Sequence, residues 1–180
     1  MILSANVLTL LCRQYSHEIA NSLFYTSLQS WADMRGLDGT AGFFGRQADD
    51  EHRHADMVLA YIHARNEQLA NMPPVAPMAA GDDFMSQFDT AREIESRTTA
   101  AISAIHAQAL AESDMMTCAW LAQPGGLILE QLEEENTIQS IIDRINARRG
   151  NVPLDPADVS QAEMPGEVIH DIDCWLKGLA

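Results

Sequence analysis

Four glutamates stand where the pattern of apolar residues calls for core side chains. Glu18 falls in the series Leu11–Glu18–Tyr25, and Glu51 in Phe44–Glu51–Val58. Glu95 falls in Phe88–Glu95–Ile102, continued by Ile105, and Glu134 in Leu127–Glu134–Ile141. Residues seven apart share one face of a helix, so each glutamate is expected on a buried stripe. Two further polar residues lie three positions from a glutamate on a parallel stripe: His54 in Gln47–His54–Tyr61 and Gln131 in Gln131–Ile138–Ile145. A single glutamate in such a stripe usually snorkels to the surface, and a lone Glu-x-x-His arises often by chance. Four in four successive segments need another account. Burying an unpaired carboxylate costs several kcal/mol, and these stripes carry no Lys or Arg to offset it. Two iron ions would supply the missing positive charge, since carboxylate oxygens with one imidazole nitrogen suit iron.

The elements that must position these side chains are helical. Ala, Leu, Met, Gln and Glu dominate the long segments, and β-branched runs are few. Five helical segments are expected. The first runs from about Ser4 to Met34 and stops at Arg35-Gly36. The second starts near Asp38-Gly39-Thr40 and continues to about Arg65. A polar crossover, Asn66 to Asp82, carries Pro73, Pro74 and Pro77. The third covers about Asp83 to Ala111, and the fourth ends at Arg149-Gly150, a basic turn closed by glycine. After Pro153 and Pro165-Gly166 a short amphipathic piece closes the chain. Short turns join one to two and three to four, while the long crossover lets helix three run parallel to helix two. The expected fold is all-α: a four-helix bundle with one long crossover and a short C-terminal fifth helix. It forms one domain over 1–180, with the bundle at about 4–149 and an extension at 151–180.

Charge and cysteine usage narrow the function. The formal net charge is -15, from 26 acidic and 11 basic residues. No basic stripe exists to neutralise phosphates, so nucleic acid is excluded as a partner, and the surface concentrates cations instead. Cys12, Cys118 and Cys174 lie far apart, which fits a reducing compartment without disulfides or a zinc site. The opening MILSANVLTLLCRQYS lacks the basic start and cleavage site of a signal peptide, and no apolar run is long enough for a membrane span. A cytoplasmic protein is expected.

Several segments resemble the bacterial non-haem ferritins. SHEIANSLFYTSLQSWADMRGLDGTAGFF is similar to that family's first helix, turn and second-helix start, and DDEHRHADMVLAYI to its Glu-x-x-His helix. EIESRTTAAISAIHAQA resembles its third helix and LEQLEEENTIQSIIDRI its fourth. The resemblance implies a ferroxidase centre of Glu18, Glu51, His54, Glu95, Gln131 and Glu134. One iron would take Glu18, Glu51 and His54, and the other Glu51, Glu95 and Glu134, with Gln131 as a polar neighbour. Tyr25 matches a tyrosine kept beside the di-iron centre, where it donates a hydrogen bond or an electron. The implied activity is oxidation of Fe(II) by dioxygen or peroxide, with ferric mineral stored inside a 24-subunit homo-oligomeric cage. The resemblance also implies a third iron position, held by Glu130, Glu133 and Glu134 and completed by the residue before Glu51. Here that residue is Asp50, whose carboxylate is one methylene shorter, so partial occupancy is expected.

Three departures from the family pattern carry expectations of their own. Gln123-Pro124-Gly125-Gly126 should break the fourth helix, which then starts near Gly126, with Asp114–Ala122 as a separate turn or helix. His52 stands where bacterioferritins carry a haem-ligating methionine, but helix four lacks their second Glu-x-x-His, so His52 is read as a surface residue. A haem-bearing bacterioferritin and a cage subunit with little ferroxidase activity remain the alternative readings. In the longer tail, Val168, Ile169, Ile172, Trp175, Leu176 and Leu179 share one face that must dock against something. The family places its terminal helix at the four-fold axis of the cage. The four core stripes end before Asn151, so the bundle is expected to fold without this tail.

Overall fold

A computed structural model describes residues 2–75, 81–150 and 164–179, and every regular element among them is an α-helix. They are α1 (Ala5–Asp33), α2 (Asp38–Ala64), α3 (Phe84–Ala111), α4 (Met115–Ala122), α5 (Leu127–Arg149) and α6 (Gly166–Lys177). Local chemistry sets the ends. Ser4 caps α1 by accepting from the Val7 N–H at 3.1 Å. Asp83 and Ser86 form a reciprocal capping box at the start of α3. Gly150 closes α5 in the left-handed conformation at φ 83°. These groups satisfy backbone donors and acceptors that a helix end otherwise leaves open.

The core consists of two apolar clusters, and their membership gives the topology. One gathers Phe24, Tyr25 and Leu28 of α1, Phe43 and Phe44 of α2, Phe84, Phe88 and Ile94 of α3, and Ile138, Ile141, Ile142 and Ile145 of α5. The other gathers Val7 and Leu11 of α1, Val58 and Ile62 of α2, Ile102 and Ile105 of α3, Leu121 of α4 and Leu127 of α5. The C-terminal half of α1 thus meets the N-terminal halves of α2 and α3 and the C-terminal half of α5. Helices α1 and α2 are antiparallel, α2 and α3 parallel, and α3 and α5 antiparallel. This is the single-crossover bundle expected from the loop lengths. Pro77 of the crossover and Pro153 of the tail lie outside the described residues.

The expected break in the fourth helix is present, and it makes the terminal helix the sixth element. Helix α4 ends at Ala122 and α5 begins at Leu127. A Cβ on Gly126 would lie 2.7 Å from the Leu121 carbonyl oxygen and 2.8 Å from those of Trp120 and Gln123, so only glycine fits the corner. Asp114 fastens α4 to the bundle. It accepts from the Thr117 N–H and from the Arg65 guanidinium at 3.0 and 3.2 Å. Trp120 stacks on Tyr61 with ring centroids 4.0 Å apart.

The tail helix docks, as its apolar face requires: Val168, Ile172 and Leu176 of α6 are buried within the first apolar cluster. Asp173 also accepts from the backbone N–H (2.7 Å) and hydroxyl (2.8 Å) of Thr40, in the first turn of α2. A Cβ on Gly39 would overlap the Asp173 carbonyl oxygen, so glycine admits this close approach. Arg144 of α5 lies over the Trp175 ring at 4.3 Å. The stripes of the four long helices end before Asn151, but the core they form continues into α6. Burial of each aliphatic side chain is worth about 1.5–3 kcal/mol. Truncation after Asn151 is therefore expected to lower the thermal midpoint of the metal-free protein by on the order of 10 °C. A midpoint within about 2 °C of the full chain in calorimetry would show that α6 is dispensable.

Candidate metal centre

Between the two apolar clusters lies a polar waist, and the glutamates predicted for the core stand there. Glu18, Glu51 and Glu95 are each at most 1% exposed and His54 is 2% exposed. Glu134 is less deeply buried, with 11% of its side chain exposed. Each comes from the middle of its own helix, flanked by a residue of one cluster on either side. Cys12 and Phe24 bracket Glu18, Ala48 and Val58 bracket Glu51, Ile94 and Ile102 bracket Glu95, and Leu127 and Ile138 bracket Glu134. Helix packing thus carries the carboxylates inward as a layer.

Glu18, Glu51 and His54 offer ligand atoms that lie within 4.8 Å of one another. The imidazole Nδ1 is 3.8 Å from Glu51 Oε2 and 3.6 Å from Glu134 Oε1. These separations are too long for hydrogen bonds. The Glu51–His54 separation suits two groups that share one cation, where each ligand sits about 2.0–2.2 Å from the ion. Glu95 is held differently. It accepts from the Tyr25 hydroxyl and from Gln131 Nε2, the latter at 2.8 Å, which fixes its carboxylate on the α3 side of the waist. Glu95 is not part of the three-residue group, and Glu134 reaches that group through His54.

Three buried carboxylate oxygens, Glu18 Oε2, Glu51 Oε2 and Glu134 Oε2, have no hydrogen-bond partner. Buried oxygens in native interiors are normally paired, and the Glu18 and Glu51 carboxyls also contact each other, a crowding that suits a cation between them. The donor set of several carboxylates and one imidazole fits iron. Electrostatics agree. Burial, and then repulsion from Glu51, holds Glu18 well above the usual carboxylate range. Burial does the same to Glu51, with Glu95 and Glu134 adding repulsion. Burial, followed by repulsion from Glu95 and Glu18, raises Glu134 to about 9. Burial also raises Glu95, against the lowering effect of its Tyr25 and Gln131 hydrogen bonds.

The residues assigned to a third position are placed less compactly. Glu130 is paired with Arg53 at 2.6 Å, and Asp50 meets the same guanidinium at 3.5 Å. Glu133 is exposed, and so is His52. Several site residues escaped sequence reasoning. Gln14 donates to Glu18 at 2.6 Å, and Asn21 donates to Glu51 at 3.3 Å and to Thr98 at 3.1 Å. Gln14 and Asn21 lie four residues before and three after Glu18, on its own face of α1. An amide at helical spacing from a core glutamate was the sign that could have found them. Arg53 was missed because it stands beside the stripe, between Glu51 and His54.

The fold and this waist define a ferritin-like carboxylate bundle. A family described as a ferritin-like domain matches residues 8–147. The chain belongs to the ferritin family. It is 28% identical over 145 residues to a probable bacterial non-heme ferritin-like protein of Haemophilus influenzae, covering 81% of this chain and 86% of that one. It is 29% identical over 133 residues to a bacterial non-heme ferritin of Bacteroides fragilis, covering 73% and 81%. The open-pore ferritin of Archaeoglobus fulgidus superposes with a TM-score of 0.81 over 97% of this chain and 96% of that chain, at 22% identity, a likeness of fold. Among the described residues, no helix is long and apolar enough to cross a membrane.

The raised carboxyls have a consequence for the metal-free protein. Glu134 is protonated in the folded chain and ionised in the unfolded chain between about pH 4.5 and about 9, so folding takes up a proton there. Stability is full below that window and falls as pH rises through it. Glu134→Gln should therefore raise stability at pH 8 and leave it nearly unchanged at pH 4.5. Urea unfolding in the presence of a chelator measures this, and equal midpoints for variant and parent at pH 8 would contradict the assignment.

Proposed function

We propose that this chain is an iron-storage subunit with ferroxidase activity, in which the waist binds a pair of Fe(II) ions as substrate for oxidation by dioxygen. The observation that carries this reading is the set of partnerless buried oxygens on Glu18, Glu51 and Glu134 around His54. Glu18, Glu51 and His54 hold one ion. Glu51 bridges to a second, held with Glu95 and Glu134. The negative charge of these side chains favours Fe(III) over Fe(II), which promotes loss of an electron to dioxygen. Tyr25 keeps its proton, because burial and the surrounding carboxylates push its phenol well above the ordinary value. It donates that proton's hydrogen bond to Glu95 and so fixes the carboxylate's direction, while Gln131 fixes it from the opposite helix.

The wider setting belongs to the same proposal. A single-domain subunit assembles into a 24-subunit cage in the cytoplasm, and ferric product passes to a mineral inside it. The surplus of acidic over basic residues, 26 against 11, suits a protein that draws in cations. Asp50, Glu130 and Glu133, with Glu134, are the residues for a third ion, although Asp50 and Glu130 are engaged by Arg53 in the metal-free protein.

Two measurements test the reading together. Gel filtration should give a particle of about 475 kDa, twenty-four copies of a 19.8 kDa chain. Aerobic addition of Fe(II) should produce rapid oxidation that Glu51→Ala or His54→Ala slows by about a hundredfold, since losing even an outer partner of a metal ligand costs about tenfold to a hundredfold. Both variants should still fold. Parent-like oxidation rates in the two variants would move the activity away from this waist.

A further inference from the structure

Between α2 and α5 the waist approaches solvent. Side-chain exposure climbs from 3% at His54 through 11% at Glu134 and 27% at Glu130 to 46% at Arg53. This gradient runs outward between α2 and α5 and marks the way from solvent to the buried carboxylates. Arg53 stands across it. Its Nη2 lies 2.6 Å from Glu130 Oε2 on α5, 3.3 Å from His54 Nε2 and 3.5 Å from Asp50 Oδ1 on α2. Its Nη1 lies 3.4 Å from the Met57 sulfur. The guanidinium therefore ties the two helices together over the outer nitrogen of the imidazole whose inner nitrogen faces Glu51 and Glu134.

We propose that Arg53 is a displaceable counter-ion that closes the α2–α5 mouth of the centre and competes with incoming divalent cations for Glu130. The proposal rests on the reading of the waist as a metal centre. A fixed positive charge at the mouth offsets part of the carboxylate repulsion in the metal-free chain. It also opposes a second positive charge arriving along the same path. The pairing is weak enough to yield, because Arg53 and Glu130 are partly exposed and solvent-exposed ion pairs contribute little. A divalent cation that reaches Glu130 outbids a monovalent guanidinium there, and Arg53 has solvent to swing into. Arg53 is thus a positioning residue. It acts on the rate and affinity with which the centre fills, through Glu130 and His54.

Co(II) binding tests this without turnover, because its visible absorption reports ligation by the centre. Affinity and association rate are measured for the assembled protein and for Arg53→Gln, Arg53→Lys and Arg92→Gln. Removing the latch should tighten Co(II) binding about threefold to tenfold and speed association to a similar degree. Arg53→Lys keeps a cation at the mouth and should remain within about twofold of the parent. Arg92 pairs with Asp89 at 2.8 Å on the exposed face of α3, so Arg92→Gln controls for loss of one positive charge elsewhere. A residue that only braced the fold would lower stability without tightening Co(II) binding. Unchanged or weaker binding in Arg53→Gln overturns the latch and leaves the metal centre standing, as does an equal gain in Arg92→Gln. If the parent binds no Co(II), or if Glu51→Ala binds it as well as the parent, the metal-centre reading and the latch fall together.

Discussion

Everything in this molecule is arranged around four carboxylates that an apolar interior cannot hold ionised unaided. Burial raises the affinity of Glu18, Glu51, Glu95 and Glu134 for protons, and it does so far enough in Glu134, at about 9, to keep it protonated at neutral pH. That arrangement costs stability in the metal-free protein, and under the proposed function a divalent ion would offset it. The amides of Gln14, Asn21 and Gln131 limit that cost by donating to single carboxylate oxygens. On Glu18 and Glu51 they leave Oε2 without a donor, whereas both oxygens of Glu95 are engaged, by Tyr25 and Gln131.

Such a waist has to be held by something stiffer than itself. The two apolar clusters on either side do this, because each includes residues from all four long helices. The aromatic end packs Phe43, Phe44, Phe84 and Phe88 ring against ring, with centroids 5.2–6.3 Å apart. Tyr25 joins this group, stacked near Phe44, while its hydroxyl reaches Glu95. One side chain therefore links the packing of the core to the orientation of a ligand. The parallel course of α2 and α3 matters equally, since it brings Glu51 and Glu95 to the same level from opposite sides of the long crossover.

The two short helices complete the bundle at its ends. Helix α4 closes the end built from the start of α1 and the end of α2, where Arg65, Tyr61, Asp114 and Thr117 form one hydrogen-bonded group. Helix α6 closes the other end and caps the first turn of α2 through Asp173. The corner at Gly126 sits one residue before α5, close to Glu130 and Gln131. The break therefore sets where α5 begins without disturbing the register that brings Gln131 and Glu134 inward.

The sequence by itself determined the helices, the single crossover, the break at Gly126 and the seven-residue stripes that hold Glu18, Glu51, His54, Glu95, Gln131 and Glu134. Those features depend on local periodicity, turn chemistry and the cost of burying charge, all of which are legible along one chain. Only the tertiary structure decided which groups meet across helices. Gln14 and Asn21 read as ordinary polar residues until their distances to Glu18 and Glu51 are known, and Arg53 reads as one more surface arginine until Glu130 comes to it from α5, seventy-seven positions away. The same holds for α6. Its apolar face was visible in the sequence, but periodicity specifies that a face must be covered and says nothing of what covers it. That choice was made by the gap at Gly39 and by Thr40, whose N–H and hydroxyl were there for Asp173 to accept.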